Sequence, residues 1–210
     1  MKAGKFIVVE GLEGAGKSTA MSQIQSLLSS KGIEFICTRE PGGTPLAEKM
    51  REIVKAETEE HLTAEAELLL MYASRIQLIE NVIKPALAKG QWVIGDRHDM
   101  SSLAYQGGGR QLPDTLLLPI RNAVLKDFHP DLTLLMDIDP KVGLARAAKR
   151  GELDRIERMD MSFFERTRKV YLDLAKSNPK VIIINAENSL EQVQKDLYQN
   201  LTHWLENTEL

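Results

Sequence analysis

A chain of 210 residues with 43% hydrophobic content can fill one sizeable core and is short for two. Its formal charge of −3 spreads no positive field of the kind that holds a nucleic-acid backbone or an anionic membrane, so any anion has to be gripped locally. The one cysteine, Cys37, excludes an intrachain disulfide and points to a reducing, cytoplasmic setting, with Cys37 itself expected as a small core residue in its apolar run.

The first apolar run, residues 6–9, is too short for a signal-peptide core or a membrane span and reads as the centre of a strand over 5–10. It leads into Gly11-Leu12-Glu13-Gly14-Ala15-Gly16-Lys17-Ser18, which fits G-x-x-x-x-G-K-[ST] between that strand and a helix expected over 17–31. The glycines let successive backbone N–H groups turn inward around an anion, and the helix adds its positive N-terminal end. The stretch from Gly11 to Thr19 therefore reads as a cup for the phosphates of ATP, with Lys17 reaching the β- and γ-phosphates and the Ser18 hydroxyl on Mg2+.

A strand over 34–38 precedes a helix over 45–57 opened by Thr44-Pro45. A longer helix over 63–89 carries Leu68, Leu69, Tyr72, Ile76, Ile79, Val82 and Ile83 at helical spacing, with Pro85 expected to kink or end it. The strand over 92–95 delivers Asp96, a carboxylate placed to organise magnesium, and then Arg97, whose guanidinium suits bidentate phosphate recognition at the edge of a parallel sheet. A helix over 113–127, a strand over 132–138 and a helix over 140–150 opened by Asp139-Pro140 follow.

Arg146, Lys149, Arg150, Arg155 and Arg158, interrupted by Gly151, read as a basic flap over 146–158 that could neutralise charge on a moving phosphoryl group. A helix over 162–177 with a Ser162-x-x-Glu165 capping box, a strand over 181–184 and a helix over 189–207 with Ser189-x-x-Gln192 complete the chain. Strands alternating with helices predict an α/β architecture in one domain over 1–210, a parallel sheet with helices on both faces.

The phosphate loop identifies a donor and leaves the acceptor open. A GTPase is disfavoured because no Asn-Lys-x-Asp motif follows a strand, whereas small-molecule kinases and other nucleoside-monophosphate kinases stay open on physics alone. A binding module without turnover is a further rival, and Lys17, Ser18, Asp96 and the flap arginines argue against it.

Four further stretches resemble bacterial thymidylate kinase: Thr38-Arg39-Glu40-Pro41-Gly42-Gly43-Thr44, Asp96-Arg97-His98, Tyr105-Gln106-Gly107-Gly108-Gly109-Arg110 and Gly151-Glu152-Leu153-Asp154-Arg155-Ile156-Glu157. With the phosphate loop they span nearly the whole chain in the family's order. The resemblance implies the P-loop NTPase fold with a five-stranded sheet, transfer of the ATP γ-phosphoryl group to dTMP with Mg2+, and a homodimer.

By the same resemblance, Glu13 approaches the acceptor sugar hydroxyl and the metal-bound waters, and Arg97 clamps the acceptor phosphate. Arg75 lies near the thymine edge, Ser101, Ser102, Tyr105 and Gln106 surround base and sugar, and Pro41 packs beside the base. Met71 stands where many relatives place a Phe that stacks on thymine, and its polarizable sulfur can still cover a ring face. Gly14 occupies the position at which eukaryotic-like members carry an arginine, so the resemblance puts the catalytic arginine charge in the flap, at Arg150 and Arg155. The adenine side is expected near Arg146 and residues 185–188.

Overall fold

A computed structural model describes residues 3–149, 151 and 153–208 of the chain. Its central strand, β1 (Phe6–Gly11), is buried along its whole length. Strand β2 (Phe35–Arg39) lies at one edge, then β3 (Trp92–Asp96), β1, β4 (Leu132–Asp137) and β5 (Val181–Asn185), every neighbouring pair parallel. Parallel neighbours need crossovers, and the chain supplies helices for them.

Helix α1 (Lys17–Ser30) follows β1, and α2 (Pro45–Lys55) and α3 (Ala64–Leu78) lead to a π-helical turn, π1 (Ile79–Ile83), and α4 (Lys84–Ala88). After β3 come α5 (Asp99–Ser102), a second π-helical stretch, π2 (Leu103–Gly109), and α6 (Asp114–Leu125). Helix α7 (Pro140–Ala148) leaves β4, α8 (Met161–Ser177) enters β5, and α9 (Leu190–Glu206) closes the fold.

The two-residue period of β1 explains why helices cover both faces. Ile7 and Val9 join a core with Ile24 of α1, Phe164 of α8 and Leu197 of α9, whereas Phe6 and Val8 join one with Leu78, Ile79, Ile83 and Leu125. Among the described residues no helix is long and apolar enough to cross a membrane.

Three local expectations change. Pro85 does not end the helical run: the wider turn π1 lies just before it, and α4 continues with proline in its first turn. Helix α8 begins one residue earlier than its expected capping box, because Asp160 Oδ1 accepts the Phe163 amide at 2.7 Å and takes the Ser162 hydroxyl as well. Cys37 is exposed instead of buried, since β2 is an edge strand with only one neighbour. The caps at Thr44, Asp139 and Ser189 form as expected, each accepting a first-turn amide.

Residues 99–109 carry no helical signal in the sequence, and the chain is helical there. Gly108 and Gly109 pack on α8 so closely that a Cβ on Gly109 would sit 2.5 Å from the Phe163 ring. Packing against α8 overrides the low helix propensity of three successive glycines.

The foot of α7 touches the phosphate loop backbone to backbone: a Cβ on Gly14 would overlap the Gly143 carbonyl, and one on Gly143 would lie 2.5 Å from the Glu13 carbonyl oxygen. The larger side chain that some relatives carry at position 14 has no room here. Gly143→Ala is expected to lower stability by about 1–3 kcal/mol through overpacking and to weaken nucleotide binding, read by thermal unfolding with and without ATP.

Candidate active site

Parallel register brings the chemistry to one sheet edge. Val9 lies beside Asp96, and Arg39 lies beside Asp96 on the other side, so the segments leaving β1, β2 and β3 meet where open α/β sheets bind ligands.

The phosphate loop turns on Gly11, Gly14 and Gly16, all with positive φ, the last being the N-cap of α1 in a left-handed conformation. No side chain caps α1, so its first amides are open to an anion. Leu12 and Ala15 bury their side chains in the core, and the Ala15 amide turns back to the Leu12 carbonyl at 3.3 Å. Lys17 folds over its own loop, its Nζ donating to the carbonyls of Gly11 at 3.1 Å and Leu12 at 2.9 Å. Burial, followed by the neighbouring Arg97 charge, pulls the ammonium down to about 8 from the ordinary lysine value.

A cavity of about 280 Å3 beside the loop is lined by Gly14, Gly16, Lys17, Ser18, Asp96 and Arg146. Asp96 Oδ1 is buried there without a hydrogen-bond partner among the described residues. Arg146 donates to the Ala186 carbonyl at 2.9 Å, which brings together the two segments expected on the adenine side. Thr19 lies in the first turn of α1.

An adjoining cleft of about 170 Å3 runs from the phosphate loop to α3. At its near end Arg97 donates from Nη2 to Glu13 Oε1 at 2.8 Å and to the Tyr105 hydroxyl at 3.2 Å, and from Nη1 to Ser101 Oγ at 3.2 Å and Tyr171 at 3.3 Å. Tyr105 donates in turn to Glu13 Oε2 at 2.7 Å. At the far end Pro41, Met71 and Gln106 form the walls.

Arg75 and Ser102, expected at the base, stand one layer behind that wall. Arg75 is fully buried; its Nε donates to Glu40 Oε2 at 2.7 Å, and its Nη2 donates to the His98 carbonyl at 3.0 Å and Ser102 Oγ at 2.9 Å. Its Nη1, 3.9 Å from Asp99, has no hydrogen-bond partner. Burial opposes ionisation of Glu40, but the Arg75 charge and His98 overcome it and hold the carboxyl below its ordinary range.

The flap differs most from expectation. Arg155 donates to Glu67 and to the Val54 carbonyl at the end of α2, and it is not part of the cleft wall. Arg150 lies outside the described residues. Asp154 and Ile156 do reach the cleft, with Asp154 bound to Lys55 at 2.7 Å.

Several cleft-lining and buried polar positions are not singled out by the sequence. Arg51 and Lys55 line the cleft from α2, four residues apart and so on one helix face. Glu67, Met71 and Arg75 recur every fourth residue on α3, a spacing that could have flagged Glu67. Glu10 ends an apolar strand as Asp96 does, and it is fully buried, accepting from the His98 amide, the Ser101 amide and hydroxyl, and the Tyr171 hydroxyl. Burial pushes its carboxyl up, against the pull of Ser101 and Arg97.

Known proteins share both the sequence and the fold. Residues 9–197 match the family model described as thymidylate kinase. A thymidylate kinase of Vibrio vulnificus is 63% identical over 208 residues, 98% of each chain. One of Photobacterium profundum is 62% identical over 204 residues, 96% of this chain and 98% of its own. The crystal structure of thymidylate kinase from Ehrlichia chaffeensis superposes with a TM-score of 0.76 at 30% identity, covering 95% of this chain and 99% of that one.

A lysine held near 8 loses its charge as pH rises through that value, and phosphate oxygens restore it. ATP affinity of the free protein is therefore expected to fall between about pH 7 and pH 9 in titration calorimetry, with proton uptake on binding, and Lys17→Met is expected to flatten that dependence. An equal slope in the variant rules out Lys17 as the titrating group.

Proposed function

The chain belongs to the thymidylate kinase family, transferring the γ-phosphoryl group of ATP to dTMP to give dTDP and ADP, and we propose how its residues divide that work. ATP phosphates enter the cup between Gly11 and Thr19, where Lys17 exchanges two loop carbonyls for β- and γ-phosphate oxygens. The acceptor lies in the adjoining cleft, its phosphate on Arg97 with Arg51 and Lys55 opposite and its base against Met71 and Pro41. Glu13 and Tyr105 face the sugar. Ser101 and Gln106 complete the surround, and Arg75 with Ser102 braces that wall from behind through Glu40 and the His98 carbonyl.

Mg2+ fits the Ser18 hydroxyl and the unpartnered Asp96 oxygen, since oxygen donors from one or two side chains, completed by phosphates and water, are what this ion takes. When bound it neutralises phosphate charge. Arg150 and Arg155 bring flap charge to the transferring group, Arg155 after release from Glu67.

The observation that carries this reading is that Lys17, Asp96 and Arg97 share one cleft whose far wall is Met71 and Pro41. Donor and acceptor phosphates are thus brought together between cations, where positioning and charge stabilisation supply most of the catalysis. The single cysteine and phosphorylated substrates fit a cytoplasmic enzyme.

Leu46 and Ile53 on α2, Leu69 on α3 and Leu118 on α6 are exposed, and α3 packs against both other helices. These side chains support a homodimer through that layer. Leu69→Glu is expected to shift sedimentation equilibrium toward monomer, and an unaltered mass would move the interface elsewhere.

Purified protein assayed with ATP and a panel of dTMP, dUMP, dCMP, dGMP and thymidine is expected to prefer dTMP and to leave thymidine untouched, because Arg97 has no phosphate to hold. Lys17→Ala is expected to lower kcat by about 100-fold or more. Equal use of dGMP and dTMP, or full activity in Lys17→Ala, removes this assignment.

A further inference from the structure

Glu67 is an acid almost wholly inside the protein, 1% exposed, on the face of α3 that also carries Met71 and Arg75. Four hydrogen bonds converge on it. Its Oε1 accepts from Gln106 Nε2 at 2.8 Å and Arg110 Nε at 3.2 Å, and its Oε2 accepts from Arg110 Nη2 at 2.9 Å and from Arg155. Burial opposes its charge, but the bonds and charge of Arg110, with Gln106 and Arg155, outweigh that and hold the carboxyl below its ordinary range.

An ionised carboxylate has only lone pairs to offer. The amide of Gln106 must therefore turn its NH2 toward Glu67, because the flipped amide would set a carbonyl against a carboxylate. Gln106 is 1% exposed and forms part of the cleft wall near Met71, and its other amide atom, Oε1, is buried with no hydrogen-bond partner among the described residues. A buried carbonyl left this way seeks a donor.

We propose that Glu67 is a positioning residue that locks the Gln106 amide as a hydrogen-bond acceptor at the base end of the cleft, so that the pocket selects pyrimidines bearing a hydrogen on N3 over cytosine. The inference rests on the acceptor reading above. Thymine and uracil present N3–H to that oxygen; cytosine presents a lone pair at N3, and two acceptors then face each other without a proton. The freedom that would rescue cytosine, a flip of the amide, is what the ionised Glu67 forbids. Both bonds from Arg110 remain on the carboxylate when Arg155 leaves it, so the lock does not depend on the flap.

The test is kcat/KM for dTMP, dUMP and dCMP in wild type and Glu67→Gln. A neutral amide at 67 can donate as well as accept and frees Gln106 to turn, so the dTMP-to-dCMP ratio is expected to fall by about tenfold or more while the dTMP-to-dUMP ratio stays put. A purely structural loss lowers all three together, and that result overturns the proposal. Should Glu67→Gln fail to fold, Gln106→Met leaves both arginine pairs intact and removes the acceptor; the same selective fall is expected, and an unchanged dTMP-to-dCMP ratio in this variant overturns the proposal equally. Absence of phosphoryl transfer to dTMP in wild type would instead sink the acceptor reading, so the two failures are distinct.

Discussion

The carboxylate at the end of the central strand fixes the arginine on which the cleft turns. Arg97 has a left-handed backbone, φ 68°, which costs a non-glycine residue on the order of 1 kcal/mol or more. The surroundings over-determine it: its own amide bonds to the Val9 carbonyl at 2.9 Å, and the amides of His98 and Ser101 bond to Glu10. Glu10 also holds the Ser101 and Tyr171 hydroxyls, and these are the groups that take one nitrogen of the Arg97 head. Backbone and guanidinium are thus referred to one rigid point on β1, the strand that also launches the phosphate loop. Phosphate loop and Arg97 inherit a common origin from it.

The same device recurs twice. Glu40, held by Arg75 and His98, stands behind the base end of the cleft, and Glu67, held by Arg110 and Arg155, stands behind Gln106. Each buried charge is paired, as it must be when an unpaired one costs several kcal/mol. A buried pair contributes little net stability against an apolar substitute, so its effect lies in geometry: side chains that line the cleft are oriented by ions behind them. Removing either partner leaves the other buried and uncompensated, which ties the shape of the pocket to the integrity of the fold.

What could be read from sequence alone was local. The phosphate cup, the Asp96-Arg97 pair and three helix starts each depend on neighbours within a few residues, where spacing alone dictates geometry. Residues 99–109 defeated that logic because their helical turns exist through glycines that let α8 approach, a contact roughly 60 positions away in the chain. Arg155 illustrates the converse: a basic run marks a flap, yet which carboxylate a given arginine meets depends on α3 lying underneath. Cys37 was misplaced for the same reason, since an apolar run says nothing about whether its strand is central or at an edge.

A chain with net charge −3 grips polyphosphate by dividing its cations into two sets. Arg75 and Arg110 are bound to carboxylates and their charge is spent inside the protein, and Arg155 is bound to the same Glu67 as Arg110 in this structure. Lys17, Arg51 and Arg146 bond instead to neutral carbonyls, those of Gly11 and Leu12, Pro41, and Ala186. Carbonyl dipoles hold these side chains in place without cancelling their charge, so an arriving phosphate meets a preorganised field. Burial pulls both Lys17 and Arg51 below their ordinary values, the mark of cations kept in poor solvation until an anion comes. Arg97 stands between the sets, lining the cleft yet compensated by its bond to Glu13.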